Sequence, residues 1–197
     1  MNKSDLRVIK TRNNIKSTFI QLLSEKDFEQ ITVQNILEKA LINRSTFYKH
    51  FTDKYELARI ISEEILSDYS TFLDERFMSK SKHDLSQYIK NVYDRLLEQK
   101  DTLRALWKVN TGSIHLYDDM QMLLKNKYKA YIIDQYPLNM DLTDYYACVY
   151  ASLVMTTTKY IFENKELNIT QKVVESLQPL LDSGVFPFFD ANLKIGR

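Results

Sequence analysis

Between Ile31 and Leu57 the apolar positions recur at three- and four-residue intervals, stop, and start again. Val33, Ile36, Leu37 and Ala40 place one apolar stripe on a helix of about eight residues, roughly two turns. Thr32 stands at its N-cap, its side-chain oxygen positioned to accept from the free backbone N–H groups of the first turn. After a break of about three residues, Asn43 is a second N-cap candidate and opens a helix through roughly His50. Phe47 and Phe51, four apart, turn inward in it, while Ser45, Thr46, Tyr48 and Lys49 turn away. The outer face of the second helix thus offers hydroxyls, a cation and a phenol. Short donors near a helix N-terminus reach base edges and longer polar groups hold phosphates, so the pair suits a helix-turn-helix whose second helix enters the DNA major groove.

The same periodicity organises the remaining chain. A first helix is expected from Asp5 or Lys10 to Ser24, with Ile15, Phe19, Leu22 and Leu23 buried and Phe28 and Ile31 anchoring the connection that follows. Asp53 caps a long helix, with Glu56 in the reciprocal position of a capping box. Lys54 lies in its first turn, and Leu57, Ile61, Ile65 and Phe72 carry its stripe toward Met78. Residues 79–84 are polar and mark a loop. Helices are expected along Leu85 to Leu97 and Ile114 to Tyr136; between them Lys100–Asp101 is read as a break, followed by a short segment Thr102 to Val109 and a Gly112 turn, and Pro137 ends the second helix. The stretch 143–163 is apolar or small on every side, with Ala147, Ala151, Val154 and Thr158 on one line. Such a helix needs cover on two sides, which a second copy of the chain would supply. Val173, Leu177 and Leu181, on a final helix of residues 170–181, provide a partner stripe. The tail VFPFF, residues 185–189, is too apolar to stand in water.

Composition narrows the fold class. Three Gly and three Pro in 197 residues leave too few breakers for the turns of a sheet protein of this size, so the chain is expected to be all-α. The one cysteine, Cys148, excludes an internal disulfide and, with only three His, gives no metal-ligand cluster; a reducing, cytoplasmic setting and no cofactor are expected. No apolar run is long enough to span a bilayer, and the basic N-terminus lacks the apolar core of a signal peptide. Net charge is only +1, but residues 1–54 hold ten Lys and Arg against six Asp and Glu, and the remainder seventeen against twenty. The positive excess lies where the helix-turn-helix does. An enzyme would need a nucleophile and base, paired carboxylates or a metal within mutual reach. Asp118–Asp119 and Glu63–Glu64 are adjacent pairs, which diverge by about 100° on a helix rather than converge, and no phosphate loop, nucleophile elbow or zinc motif is present.

The run T-x-x-x-I-x-x-x-A-x-x-x-R-S-T-F-Y-x-H-F-x-x-K-x-x-L, with the chain from about Val8 to Leu57, resembles the DNA-binding domain of TetR-type regulators. One position departs from that pattern. Where the turn usually carries Gly after the Ala, this chain has Leu41, for which a left-handed backbone is costly, and a differently built turn is the expectation. The resemblance implies a helix-turn-helix domain over residues 1–53 and a helical effector-binding and dimerisation domain over 54–197, joined by the helix from Lys54 to about Met78. It implies that Gln34, Arg44, Ser45 and Thr46 face bases and that Thr32, Tyr48, Lys49, His50 and Lys54 hold the DNA backbone. It further implies a homodimer formed by the last two helices, binding a pseudo-palindromic operator as a repressor. An effector cavity would lie among the central helices, with Tyr88, Tyr93, Trp107, His115, Met120, Tyr146 and Met155 as candidate lining; simple core packing is the other reading of those seven. A C-terminal domain that docks a protein partner, in a regulator or co-activator, is the alternative to a small-molecule effector.

Overall fold

The computed structural model of the chain describes residues 3–78, 97–135, 140–164 and 172. Among these residues the protein is helical throughout, as the scarcity of breakers requires. The elements are α1 (Lys3–Glu25), a 3-10 turn (Phe28–Gln30), α2 (Val33–Ala40), α3 (Arg44–Tyr48), α4 (Lys54–Met78), α5 (Lys100–Leu106), α6 (Leu116–Gln135) and α7 (Met140–Glu163). A single bridge between Thr111 and Ile114 closes the turn around Gly112. The helices expected along Leu85 to Leu97 and at residues 170–181, and the 185–189 tail, lie outside the described residues except at their margins. With them go Tyr88, Tyr93, Val173, Leu177 and Leu181.

The chain divides into two compact units, Met1–Asp68 with Gln99–Tyr117, and Tyr69–Glu98 with Asp118–Arg197. In the first, α1 packs against α2 and against α5. Its core holds the residues that periodicity singled out: Ile15, Phe19, Leu22, Leu23, Phe28, Ile31, Ile36, Leu37, Phe47, Phe51 and Leu57 are all buried. Leu103, Leu106, Val109 and Ile114 join them from the 99–117 segment. Lys16 pairs with Glu64 and so ties α1 to α4.

In the second unit α6 presents Met120, Leu124, Tyr128 and Ile132, one residue per turn, to the core. Phe77, Tyr128, Tyr131 and Tyr150 form an aromatic cluster in which Tyr128 and Tyr150 stack with centroids 3.8 Å apart. Two expectations need correction here. The buried line of α4 runs from Ile65 through Tyr69, Leu73 and Phe77, whereas Phe72 is only half-buried: steps of four advance about 40° each at 3.6 residues per turn, so the buried face rotates away from the Ile65–Phe72 line. And α7 is not covered on all sides. Leu142, Tyr145, Cys148, Thr156, Lys159 and Tyr160 make one open stripe, while Ala147 and Ala151 are 0% exposed and Thr158 is buried. Of the four α7 residues expected at a dimer interface, Ala147, Ala151 and Thr158 are thus buried within the chain itself and Val154 is half-buried. Small residues at helical spacing let a helix approach its own neighbours as readily as a second subunit's.

Candidate nucleic-acid interface

The helix-turn-helix is built by local rules that can be followed residue by residue. Thr32 closes a reciprocal cap on α2: its Oγ1 accepts from the Asn35 N–H at 3.2 Å and Asn35 Oδ1 accepts from the Thr32 N–H at 3.0 Å. At the other end of α2, the N–H of Ile42 donates to the Leu37 carbonyl and that of Leu41 to the Glu38 carbonyl, the paired bonds of a Schellman turn. That turn requires a left-handed residue, and Leu41 takes it, with φ 54° and ψ 45°. The expectation of a differently built turn is therefore wrong. The cost of a Cβ in the left-handed region is smaller than the loss of two end bonds and the register of the next helix. Leu41 remains 91% exposed. Asn14 of α1 reinforces the end by donating from Nδ2 to the Ala40 carbonyl at 2.9 Å, a contact across 26 positions that no sequence pattern announced.

Asn43 precedes α3, but its side chain makes no capping bond; its carbonyl accepts from the Thr46 and Phe47 N–H groups instead. The helix is five residues long and ends at Tyr48, so His50 lies in the following turn rather than on the helix. Phe47 and Phe51 are buried and pack on each other with centroids 5.8 Å apart, and the Arg12 guanidinium lies 5.3 Å over the Phe51 ring. This inner anchoring leaves Arg44, Ser45, Tyr48 and Lys49 exposed, with Thr46 and His50 half-exposed. Arg44 lies over the Tyr48 ring at 5.4 Å, one turn along. Its guanidinium is thus held at the open face of α3, with Nη2 3.5 Å from the Tyr48 hydroxyl. Gln34 is exposed on α2, where its Nε2 donates to Glu38 Oε1 at 2.7 Å.

At the start of α4, Asp53 Oδ1 accepts from the Glu56 N–H at 2.8 Å, as expected of a cap. The reciprocal partner differs: the Glu56 carboxylate accepts from the Thr52 N–H, not from that of Asp53. That bond holds the Glu56 carboxyl below its ordinary pKa, with Arg59 and Arg12 contributing in the same direction. Lys54 is placed differently from the expectation that it holds DNA. Its Nζ donates to the carbonyls of Phe28 (2.7 Å), Glu29 (3.2 Å) and Ile31 (2.8 Å) and lies 4.5 Å over the Phe28 ring. Burial lowers its pKa, with Glu29 opposing the shift. An ammonium has three donors, and here three carbonyls of the same chain use them.

The segment 19–60, which contains all of these contacts except those of Arg12 and Asn14, matches the sequence model described as "Bacterial regulatory proteins, tetR family". The chain carries a TetR-family helix-turn-helix domain. Over 83 residues the protein is also 31% identical to YxbF, an uncharacterized HTH-type transcriptional regulator of Bacillus subtilis strain 168, across 42% of this chain and 21% of that protein. The chain therefore matches about a fifth of the length of that curated relative. Three solved structures share the fold over nearly the whole chain. A TetR transcriptional regulator from Streptococcus agalactiae 2603V aligns with a TM-score of 0.63 at 19% identity, covering 90% of this chain and 97% of that one. The dihydroxyacetone kinase operon activator DhaS aligns at 0.56 and 18%, covering 88% and 97%. A gamma-butyrolactone receptor described as ArpA-like aligns at 0.56 and 21%, covering 90% and 98%.

Beyond the TetR-family domain, the expected effector residues are distributed over both units. Trp107 and His115 belong to the first. Trp107 meets Tyr117 edge-on at 5.2 Å, and His115 Nδ1 lies 2.7 Å from Asn110 Oδ1. Met120, Tyr146 and Met155 belong to the second unit and are buried there. Among the described residues, no group of His, Cys, Asp and Glu has the arrangement of a metal site, and no helix is long and apolar enough to cross a membrane.

Proposed function

We propose that this protein is a transcriptional regulator that binds a pseudo-palindromic operator as a homodimer and acts as a repressor released by an effector. The observation that carries the reading is the face of α3, where Arg44, Ser45, Tyr48 and Lys49 stand open to solvent above a core of Phe47 and Phe51. A five-residue helix backed by two buried phenyl rings has no use for a guanidinium, a hydroxyl and an ammonium in its own packing. Those groups match what base edges and phosphates require. Arg44 is assigned to base readout, Gln34, Ser45 and Thr46 to the same groove, and Thr32, Tyr48, Lys49 and His50 to the backbone. A two-fold dimer would set two copies of α3 against half-sites about one helical turn apart or somewhat more.

The dimer is assigned to α7 and the final helix. The open stripe of Leu142, Tyr145, Cys148 and Tyr160 replaces the buried alanine line as the surface α7 offers. The effector is taken to be small and partly apolar. The same fold occurs in a protein named as a gamma-butyrolactone receptor, which supports small-molecule sensing over protein docking. The test is fluorescence anisotropy with labelled duplexes tiling the DNA around the coding region. Wild-type protein should select one duplex containing an inverted repeat. Arg44→Ala should change the preferred bases there, since a bidentate Arg on guanine contributes ~1–3 kcal/mol of discrimination. Uniform affinity for every duplex would refute a sequence-specific regulator, and a promoter fusion that falls when the gene is deleted would reverse the direction from repression to activation.

A further inference from the structure

We infer that Lys54 is a positioning residue that closes the helix-turn-helix on itself, and that it does not contact phosphate. The inference rests on the DNA-binding reading only for its functional consequence; the clip itself is a matter of geometry. Its basis is an accounting of carbonyls. Ile31 lies one residue before the N-cap, so its carbonyl stands outside the helical ladder, whose first bond runs from the Ile36 N–H to the Thr32 carbonyl. The helix therefore supplies the Ile31 carbonyl with no donor, and Lys54 Nζ donates to it at 2.8 Å. The same ammonium takes the Phe28 carbonyl at 2.7 Å and the Glu29 carbonyl at 3.2 Å, which end the turn leading into α2. The Phe28 ring below it and the Tyr55 ring beside it, 4.5 and 5.4 Å from the nitrogen, complete its surroundings.

The consequence follows from where the two ends lie. Phe28 to Lys54 is the segment that contains α2, the turn and α3, so a bond from Lys54 back to residues 28, 29 and 31 closes that segment into a ring. The first turn of α4 and the first turn of α2 are thereby held at one distance, and α3 between them inherits its angle. To reach a phosphate, Lys54 would surrender three charge-assisted bonds; the Phe28 carbonyl would keep the Ile31 N–H, but the Ile31 carbonyl would lose its donor. Three carbonyls converging on one nitrogen suit an ammonium and not the planar fork of Arg. This gives a sharp distinction, because Arg serves a phosphate at least as well as Lys does.

The test uses full-length protein carrying Lys54→Met and, separately, Lys54→Arg, with Lys54→Gln in place of the first if it does not fold. Amide hydrogen exchange is measured over residues 28–36, with α7 as internal reference. Binding to a labelled mixed-sequence 30-base-pair duplex, and to the selected operator, is followed over a salt titration. The expected result is that both variants exchange at least tenfold faster in 28–36 with α7 unchanged. Both should also bind either duplex more weakly by similar factors, with the slope of log affinity against log salt equal to wild type. Two results overturn the inference: unchanged exchange over 28–36, or Lys54→Arg binding as wild type while Lys54→Met loses affinity with a slope smaller by about 0.9, the signature of one lost phosphate contact. If wild-type protein binds no duplex at all, the regulator reading fails and the exchange measurement alone decides the clip.

Discussion

Replacing Leu41 by Gly isolates a backbone effect from a packing effect, because the side chain being removed is 91% exposed. Three contributions decide the sign. A non-glycine residue in the left-handed region costs roughly 1–2 kcal/mol, which Gly recovers. Gly in turn loses more backbone freedom on folding, at roughly 0.5–1 kcal/mol. Full burial of a leucine side chain is worth about 1.5–3 kcal/mol, so the tenth of it that is covered contributes only about 0.2 kcal/mol. The net is a stabilisation between about zero and about 1 kcal/mol, or up to ~4 °C in Tm for a chain of this size. Leu41→Val provides the opposite control. Its branched Cβ fits the left-handed region worse and should lower stability by about 1 kcal/mol or more, with no buried area lost. Urea unfolding followed by circular dichroism measures both. Destabilisation of more than about 1 kcal/mol by Leu41→Gly would refute the reasoning, since it would require the exposed side chain to make contacts that the structure does not contain.

Other expectations rest on separate features. The Ser62 hydroxyl on α4 is buried without a hydrogen-bond partner, so Ser62→Ala should raise stability by about 1 kcal/mol, read as an increase in the urea midpoint at constant slope; a loss would show that the hydroxyl is satisfied in solution. Asp144 accepts from Lys125 at 2.8 Å and from Lys129 at 2.9 Å, and these bonds hold its pKa down to about 2. A depressed carboxyl pKa contributes stability that is present above the ordinary value of 3.8 and is lost as pH falls through about 2. Asp144→Asn should therefore flatten the acid limb of the stability profile between those values, and a carboxyl titration by NMR near 4 would contradict the assignment. Lys49→Ala should weaken binding to all duplexes alike and reduce the salt slope by about 0.9, in contrast to the Lys54 variants.

The helices of the first unit were legible from spacing alone, because a 3.6-residue repeat of apolar side chains has few other ways to be buried. Ile15, Phe19, Ile36, Leu37, Phe47 and Phe51 are each where the pattern put them. The Thr32 cap was legible for the same reason: its partners lie within three residues, so local sequence contains the whole interaction. The outward face of α3 followed from the inward one.

What the tertiary structure alone decided are the contacts that span distance, and the choices between two locally similar outcomes. Local propensity argued against Leu41 in the left-handed region, and the bonds that end α2 together with Asn14, 26 positions away, prevailed. A basic residue in the first turn of α4 reads equally as a phosphate ligand or an internal donor, and the carbonyls of Phe28, Glu29 and Ile31 settled where its nitrogen goes. In α7 the sequence pattern made several faces apolar without saying which would be covered, and the chain's own core took Ala147 and Ala151 and left Tyr145 and Tyr160 open. Periodicity states that a face must be buried. Only the three-dimensional neighbourhood states against what, because the partner of a side chain is chosen by proximity in space and not by separation along the chain.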